Sequence, residues 1–447
     1  MISIGLHQAA GILGAGIDGE DILIHGCSTD SRSLCAGNLF VAIEGDRFDG
    51  HDFVDAAGQR GAPAALVSKT RNFSIPTLQV DDTIGALAKL AAYWRERISV
   101  PLIAITGSNG KTTVKEMLAS ILGRSNKVLA TRGNLNNEIG APLTLLAADQ
   151  SHQRIILEIG ASHAGEVGRL TRMSRPDVGV ITLCAPAHLE GFGSREGVAR
   201  AKGELLAEMP QSGCAVINAD DAFAPLWRDL AGSRRCIRFG MERDAEVTGK
   251  WRTQEAGGRV QMRTPVGALD VRMAFPGKHN AANALAAAAA AVACGASLED
   301  IAAGLQAAKP VAGRLETKRA ANGAAIIDDT YNANPSSLEA GLAVLADCKS
   351  GHWLVLGDMA ELGEQAADYH REAGEQARKL GVQRMFTTGE LSRLATERFG
   401  DGATHYHSQQ ALIDALRAEL PAQTTVLIKG SRSMAMERVV SALTGGH

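Results

Sequence analysis

Short apolar runs alternate with segments of helical periodicity along most of the chain. Between residues 100 and 220, the runs of strand length are 101–106, 154–159, 177–183 and 215–218, and helical patterns lie between them. Continuous apolar strands that alternate with helices are typical of a parallel sheet with helical crossovers. The pattern therefore predicts a parallel α/β sheet, which is extended by an antiparallel flap where short strands and glycine turns follow one another over residues 245–275.

Two further α/β units flank this sheet. The first 80 or so residues alternate short apolar runs with Gly and Asp, and a helical run over 84–97 ends before Pro101. Apolar runs recur at 324–327, 353–356, 384–388 and 426–428, and each is followed by a helical stretch. We therefore predict three domains: a small α/β domain (1–82), a central P-loop parallel-sheet ATPase domain (83–311) and a C-terminal Rossmann-like α/β domain (312–447).

Composition agrees with this division and narrows the function. The 447 residues correspond to roughly three domains at about 150 residues each. The net charge of -3 and the aromatic content of 4% argue against a nucleic-acid partner. Seven cysteines without a C-x-x-C pair predict reduced thiols in a cytoplasmic protein, and the N-terminus lacks a signal-peptide pattern. The alanine-rich stretch 281–298 is expected to be a buried helix and not a membrane span.

The strongest local motif is Thr106-Gly107-Ser108-Asn109-Gly110-Lys111-Thr112-Thr113, between a predicted strand and a predicted helix. Backbone N–H groups of such a loop converge on one concavity, to which the helix N-terminus adds positive potential, so the loop is predicted to bind phosphate. Lys111 is expected to reach the outer phosphates, and Thr112 to offer a hydroxyl to Mg²⁺. The loop departs from the general G-x-x-x-x-G-K-[ST] motif, because Ile105 stands where the first glycine belongs.

Two polar residues follow other predicted strands of the same sheet. Glu158 and His188 each come just after an apolar run. Parallel sheets bind ligands at the carboxyl ends of their strands, and a carboxylate with an imidazole beside a nucleotide suits a divalent metal. Taken alone, each residue could equally be a helix cap or a satisfied polar group of a loop.

These motifs resemble the Mur ligase family, the ATP-dependent ligases that build the peptidoglycan stem peptide. The loop matches the family's short phosphate-loop variant, and the resemblance runs through nearly the whole chain. Other matching segments are 28–32, 37–42 and 49–51 in the first domain, 133–140, 201–204 and 279–283 in the second, and 313–316 and 328–335 in the third.

Four segments, 134–137, 188–193, 329–335 and 356–363, resemble the branch of the family that adds the terminal dipeptide. The branch that adds diaminopimelate or lysine would carry Asp-Tyr-Ala-His in place of Asp329-Thr330-Tyr331-Asn332, and an Asp-Asn-Pro-Arg motif that this sequence lacks. The resemblance therefore implies that ATP and Mg²⁺ are used to join D-alanyl-D-alanine to UDP-N-acetylmuramoyl-tripeptide through an acyl phosphate. That reaction is the last cytoplasmic step of peptidoglycan precursor synthesis, and so serves cell-wall biogenesis, cell shape and division.

The resemblance also implies roles for single residues. For ATP they are Gly107, Ser108, Asn109, Gly110, Lys111, Thr112, Thr113, Asn283 at the adenine, Arg314 at the γ-phosphate and Asp329 at the ribose or the magnesium water shell. The expected catalytic residues are Lys111, Glu158, His188, Lys202 and Arg314, and the expected metal ligands are Thr112, Glu158, His188 and Lys202 as a carbamate. Arg314 and Asp329 belong to the third domain, so the site is expected to be complete only when that domain closes.

The remaining expectations concern the substrates and the assembly. Ser31, Arg32, Asn134 and Asn137 are candidates for the UDP-linked substrate, and Asn332, Asn334 and Asp358 for the dipeptide. A bare Lys202 on a helix over 196–209 would by default be a solvated surface cation, whereas the family match favours the carbamate. The protein is expected to be a monomer.

Three other functions remain open at this point. Folylpolyglutamate synthase shares the phosphate loop and the three-domain plan, but it lacks the UDP-sugar domain that residues 1–82 resemble. Another Mur-type amino-acid ligase is the nearer alternative. A non-catalytic nucleotide switch is disfavoured, because the set of Glu158, His188 and Lys202 exceeds what nucleotide binding alone requires.

Overall fold

Three α/β domains follow one another along the chain in the computed structural model, which describes residues 1–45, 48–186, 188–254 and 257–445. Each domain contains one main sheet, and the strands of the three sheets occupy successive parts of the sequence without interleaving. The predicted fold class, a three-domain α/β protein, is confirmed.

The first domain is built on a five-stranded sheet with the order β2-β9-β8-β5-β4. Two short ribbons, β1 with β3 and β6 with β7, complete it. The bounds are β1 (Ser3–Gly5), α1 (Leu6–Leu13), β2 (Gly16–Asp18), β3 (Leu23–His25), β4 (Cys27–Ser28), β5 (Leu39–Val41), β6 (Glu44–Gly45), β7 (Phe48–Asp49), α2 (Val54–Gln59), β8 (Ala65–Val67) and β9 (Thr77–Gln79). Helix α3 (Thr83–Arg95) follows and packs on helices of the central domain as well as on α1.

The first strands and helices of the central domain include the four apolar runs predicted as strands, together with one strand, at 128–130, that was not predicted. They are β10 (Leu102–Thr106), α4 (Lys111–Leu122), β11 (Val128–Ala130), α5 (Gly140–Leu146), β12 (Arg154–Glu158), α6 (Glu166–Ser174), β13 (Val178–Ile181), α7 (Leu189–Phe192), α8 (Arg195–Glu208) and β14 (Cys214–Asn218). The rest of the domain comprises α9 (Ala224–Ala231), β15 (Arg235–Gly240), β16 (Val247–Thr253), β17 (Gly258–Thr264), β18 (Gly267–Met273), α10 (Lys278–Ala293) and α11 (Leu298–Ala307).

These strands form one nine-stranded sheet with the order β11-β12-β10-β13-β14-β15-β16-β17-β18. In this order, the seven strands from β11 to β16, β10 among them, pair in parallel. Strands β16, β17 and β18 pair antiparallel, as predicted for the flap over residues 245–275. The phosphate loop joins β10, in the middle of the parallel part, to α4. All five residues of β10 are buried, which shows that both faces of the strand are covered.

The third domain has a six-stranded sheet with the order β19-β20-β24-β21-β22-β23, in which only β19 pairs antiparallel. Its elements are β19 (Glu316–Arg319), β20 (Ala325–Asp329), α12 (Pro335–Ala346), β21 (Gly351–Gly357), α13 (Ala366–Lys379), β22 (Arg384–Thr388), α14 (Ser392–Phe399), β23 (Ala403–Tyr406), α15 (Gln409–Glu419), β24 (Thr424–Lys429) and α16 (Glu437–Thr444). Short 3₁₀ turns lie at Gly50–Phe53, Gly363–Gln365 and Arg432–Met434.

The alanine-rich stretch forms the buried helix α10, which packs on β16, β15 and α4. Small side chains allow this helix to lie close to the sheet, and a Cβ atom at Gly249 would lie 2.9 Å from Cδ2 of Leu285. Of the helices in the described part of the chain, none combines the length and apolarity needed to cross a membrane. All seven cysteines lie within the described ranges, and none of them forms a disulfide.

The position of α4 depends on a close approach by α11. Gly304 lies so near α4 that a Cβ atom there would be 2.3 Å from the Cα of Ile121, a backbone atom that cannot rotate away. The Ser120 hydroxyl donates to the Gly304 carbonyl at 2.7 Å, which fixes the same contact. Because α4 begins at the phosphate loop, this packing helps to set where the loop lies.

We expect Gly304→Ala to lower the free energy of unfolding by about 1–3 kcal/mol, because the added methyl group overpacks the α4 contact. Gly11→Ala is the matched control, since Gly11 lies on α1 and a Cβ there meets nothing within 4 Å. The control should gain about 0.5–1 kcal/mol from lower backbone entropy in the unfolded chain. Urea titration of both variants checks this, and equal stabilities would show that the α4 contact is loose.

Candidate active site

The phosphate loop is shaped by two glycines in the left-handed region. Gly107 has φ +143° and a Cβ there would lie 1.9 Å from the hydroxyl of Thr182; Gly110 has φ +81° and a Cβ there would lie 2.4 Å from Oδ1 of Asn283. The Thr182 hydroxyl donates to the Asn109 carbonyl at 2.6 Å. These contacts require glycine at both positions and hold the loop against the ends of β13 and α10.

Lys111 is half-buried and its side chain folds back onto this loop. Its Nζ donates to the carbonyl of Gly107 at 2.7 Å and to that of Ser108 at 3.3 Å. Burial lowers the pKa of Lys111 to about 8; the Glu158 carboxylate opposes this shift and the Arg314 guanidinium adds to it. A cation held over the loop at neutral pH suits an anionic ligand, which would repay its desolvation.

Glu158 is buried at the end of β12, with 1% of its surface exposed. Its Oε1 accepts from the Asn136 amide at 2.7 Å and from the Thr112 hydroxyl at 3.2 Å, and its backbone N–H donates to the Thr131 hydroxyl at 3.0 Å. Its Oε2 is buried without a partner among the described residues. A buried carboxylate oxygen left over beside a hydroxyl fits a hard divalent cation such as Mg²⁺.

Lys202 contradicts the default expectation of a solvated surface cation. It lies on the inner face of α8 with 1% of its surface exposed, and its Nζ donates to the Ala161 carbonyl at 3.3 Å. Burial and the nearby Lys111 cation lower the pKa of Lys202 to about 7, and the Glu166 carboxylate is the largest opposing influence. Lys202 is therefore a buried amine that is partly neutral at neutral pH.

The third domain contributes cations from its own sheet edge. The Arg314 guanidinium stacks on the Tyr331 ring, 4.1 Å from its centroid. Lys429, at the end of β24, donates to Oδ2 of Asp329 at 2.5 Å and to the Asn332 carbonyl at 2.9 Å. The carboxyl end of this sheet therefore faces the carboxyl end of the central sheet.

A cavity of about 440 Å³ lies between these two edges. Most of the predicted site residues line it, from both domains: Ser108, Asn109, Gly110, Lys111, Thr113, Asn134, Asn137, Glu158, His188, Asn283, Arg314, Asp329, Asn332 and Asn334. Thr112 lies behind the lining, where its hydroxyl contacts Glu158. The cavity thus combines a phosphate loop, a metal-competent carboxylate and cations from a second sheet.

Two side-chain contacts join the two domains across the cavity. The amides of Asn109 and Asn334 bond reciprocally, at 3.2 Å from Asn109 Nδ2 to Asn334 Oδ1 and at 2.8 Å from Asn334 Nδ2 to Asn109 Oδ1. His188 Nδ1 lies 2.6 Å from Oε2 of Glu361. Burial is the main influence that lowers the pKa of His188, and Glu361 opposes it. The third domain is therefore in contact with the phosphate loop in this structure.

Other predicted residues lie away from the cavity. Ser31 and Arg32 are on the surface of the first domain, where the 84% exposed Arg32 side chain pairs with Asp30 at 2.9 Å. Asp358 accepts from the backbone N–H groups of Glu390, Leu391 and Ser392, so its carboxylate holds the start of α14. The dipeptide role expected for Asp358 is not supported by this placement, because three backbone donors already occupy the carboxylate.

Sequence reasoning did not select several residues that the structure brings to the site. Asn136 and Thr131 hold Glu158, Lys429 holds Asp329, and Glu361 contacts His188. Asn136 and Glu361 belong to segments that had been singled out, so the segment was found and the residue was not. Lys429 directly follows the apolar run of β24, and polar residues at strand ends were the available indication.

The fold and this cavity define an α/β protein with a phosphate loop, in which residues of two domains line one candidate site. The chain matches the Mur ligase family, catalytic domain over residues 23–100, the Mur ligase middle domain over 105–291 and the Mur ligase, glutamate ligase domain over 313–432. The UDP-N-acetylmuramoyl-tripeptide–D-alanyl-D-alanine ligase of Escherichia coli (strain K12) is 43% identical over 448 residues, which cover 99% of each chain. The chain belongs to the Mur ligase family.

Solved structures agree with this. The crystal structure of MurF from Acinetobacter baumannii superimposes with a TM-score of 0.93 at 35% identity, covering 100% of this chain and 99% of that one. MurF from Thermotoga maritima in complex with ADP has a TM-score of 0.81 at 28% identity and covers 94% and 97%. The family implied by the sequence motifs is thereby confirmed.

We expect Lys111→Ala to reduce ATP turnover by about 10²–10³-fold, because it removes one charge-stabilising donor from the phosphate site. The fold should be retained, since the side chain contacts only loop carbonyls. Lys127→Ala is the control, because that exposed lysine contacts Ser151 away from the cavity. The measurement is the rate of phosphate release by both variants. Turnover by Lys111→Ala at the wild-type rate would show that the phosphate loop is not the ATP site.

Proposed function

We propose that this protein uses ATP to join D-alanyl-D-alanine to UDP-N-acetylmuramoyl-tripeptide, which yields the UDP-linked pentapeptide precursor of peptidoglycan. The observation that carries the proposal is the single cavity that the phosphate loop, Glu158 and the third-domain residues Arg314 and Asp329 line together. Relatives that carry this activity in their names align over the full chain. Because both substrates are soluble and ATP drives the reaction, we place the reaction in the cytoplasm.

The reaction has two steps. A terminal carboxylate oxygen of the tripeptide attacks the γ-phosphorus of ATP, the bond to ADP breaks, and an acyl phosphate forms. The free amine of the dipeptide then attacks the acyl carbon through a tetrahedral intermediate; phosphate leaves, and the nitrogen loses a proton. The first step brings anion to anion, so the site must supply positive charge and hold the reactants in line.

This chain supplies that charge from two sides. Lys111 acts on the outer phosphates from the central domain, and Arg314 approaches the γ-phosphate from the third. Asn283, which is buried on α10 and accessible to the cavity, is suited to the adenine. Contact of the two domains around these groups excludes water, which would otherwise hydrolyse the acyl phosphate.

A divalent cation, when bound, neutralises phosphate charge. Thr112 and Glu158 fit Mg²⁺, because Oε2 of Glu158 is a buried carboxylate oxygen without a hydrogen-bond partner in the described part of the chain. In the described ranges, no group of three or more His, Cys, Asp or Glu side chains converges on one point. We propose that His188 and a carbamate at Lys202 would help Thr112 and Glu158 to hold the ion, together with oxygens of the nucleotide.

The carbamate is proposed on chemical grounds. The nitrogen of a neutral amine attacks the carbon of CO₂, an N–C bond forms and a proton is released, so a lysine with a pKa near 7 reacts readily. Lys202 is such an amine. Carbamylation converts a buried cation, which repels Mg²⁺, into an anion that attracts it.

The remaining assignments concern the UDP-linked substrate and the dipeptide. We propose that Ser31 and Arg32 of the first domain and Asn134 and Asn137 of the second hold the UDP-linked substrate. Asn134 and Asn137 line the cavity, whereas Ser31 and Arg32 would bind the part of the substrate that extends beyond it. We assign Asn332 and Asn334 to the dipeptide because both line the cavity. Asn334 is also bonded to the phosphate loop.

A coupled assay tests the function. Phosphate release from ATP should require UDP-N-acetylmuramoyl-tripeptide and D-alanyl-D-alanine together, and mass spectrometry should show the pentapeptide product. Turnover with a folate and glutamate, or with the UDP-dipeptide and a single amino acid, would instead identify one of the other ligases. ATP hydrolysis that is indifferent to every acceptor would support the nucleotide switch.

We expect Lys202→Ala to lose most of the ligase activity and to regain part of it in added acetate, which can replace the missing carboxylate. The wild type should respond to bicarbonate more strongly below pH 7 than above it, because protonation of the amine removes the carbamate. Lys89→Ala, which changes an exposed lysine on α3, is the control. Full activity of Lys202→Arg, which cannot form this carbamate, would show that the proposal is wrong.

A further inference from the structure

The loop after β21 presents one carboxylate to the central domain. Its backbone is anchored twice, since the N–H of Met359 donates to Nε2 of His370 at 3.0 Å and the N–H of Ala360 donates to the Ser431 hydroxyl at 2.6 Å. Met359 and Leu362 are each 1% exposed and bury the loop on either side of Glu361. The position of Glu361 is therefore set by the body of the third domain.

Glu361 and His188, which meet between the third and central domains, both have left-handed backbone conformations. Glu361 has φ 62° and His188 has φ 54°, conformations that non-glycine residues rarely adopt. The Glu361 side chain is 52% exposed, and ion pairs of this kind add little stability. Strain retained for a contact that stabilises so little indicates a role in function.

We propose that Glu361 is a positioning residue that orients the His188 imidazole for the reaction. A carboxylate at one ring nitrogen of a histidine fixes the ring and leaves the other nitrogen available to a ligand. Glu361 lies at Nδ1, so Nε2 is the nitrogen available to the metal or to the reacting groups in the cavity that His188 lines. The inference rests on the proposed function, because it assigns His188 to that reaction.

The geometry also connects orientation with domain contact. Glu361 comes from the third domain and His188 from the central one, so the ring is oriented only while the two domains touch. The two atoms are 2.6 Å apart, but the angles between them are not those of a hydrogen bond. Nδ1 has no other hydrogen-bond partner among the described residues. Contacts of this kind tighten in enzyme–substrate complexes.

Glu361→Gln tests the role, with Glu364→Gln as the matched control. Glu364 is an exposed glutamate three residues further along the same segment. Glu361→Gln should lower kcat by about 10–100-fold, the usual cost of losing such a partner. The KM for ATP should stay close to that of the wild type, because Glu361 does not line the cavity. Glu361→Asp keeps the charge and should retain part of the activity.

A binding measurement separates positioning from a general structural effect. Mn²⁺ is titrated by electron paramagnetic resonance into the complex with a non-hydrolysable ATP analogue and the UDP-tripeptide. Glu361→Gln should bind Mn²⁺ about 10–100-fold more weakly than Glu364→Gln. In a double-mutant cycle, adding Glu361→Gln to His188→Gln should cause no further loss, since Glu361 acts through His188.

Three results would overturn the inference: equal Mn²⁺ affinity in the two glutamine variants, equal kcat, or additive losses in the cycle. Thermal unfolding of each variant shows whether a loss comes from misfolding, and in that case Glu361→Asp decides. The wild-type coupled assay is separate. If it fails, the proposed function fails, whereas a normal wild type with a normal Glu361→Gln rejects the positioning role alone.

Discussion

The free-energy cost of removing charged groups from water is the constraint on which the site depends. Glu158 and Lys202 are buried and Lys111 is half-buried near the edge of one sheet, and an isolated buried charge is costly. The chain meets this cost in two ways. Glu158 is held by the Asn136 amide and the Thr112 hydroxyl, while the pKa values of the two lysines fall towards neutrality. A site prepared in this way gains from binding an anion and a metal together, because each compensates charge that the protein leaves unpaired.

Division of the site between two domains follows from the same constraint. A cavity between two domains needs an entrance, and substrates as large as a nucleotide and a UDP-linked peptide require that entrance to be wide. The side-chain contacts across the cavity are small: a reciprocal amide pair between Asn109 and Asn334 and the pair of His188 with Glu361. A few polar contacts contribute little net stability, which is compatible with our proposal that the domains separate and reclose during turnover. The contacts use residues of the site itself, which makes domain contact and site assembly one event.

The sequence predicted those features that depend on neighbours along the chain. The phosphate loop lies between a strand, β10, and a helix, α4, as predicted, because strand, glycine turn and helix are contiguous. Partners distant in sequence were not predicted: Asn136 lies 22 residues from Glu158, and Asn109 lies 225 residues from Asn334. Such pairs depend on how two sheets meet, which no local pattern encodes. The burial of Lys202 was likewise hidden, because the inward face of α8 is set by the neighbouring helices and strands.

The segment that contains Asp358 and Glu361 shows why a sequence motif can be located without identifying the residue that contacts the site. In our proposal that residue is Glu361. Both residues are acidic and lie three positions apart in one loop. Asp358 captures three backbone N–H groups at the start of α14, and a carboxylate at a helix N-terminus is satisfied there by both hydrogen bonds and the helix dipole. Glu361 has no such backbone partners, and its strained backbone carries it to the opposite domain. Residue type and spacing are the same for a scaffold carboxylate and a functional one. The difference lies in which donors the rest of the fold brings to each, and only the assembled structure contains that information.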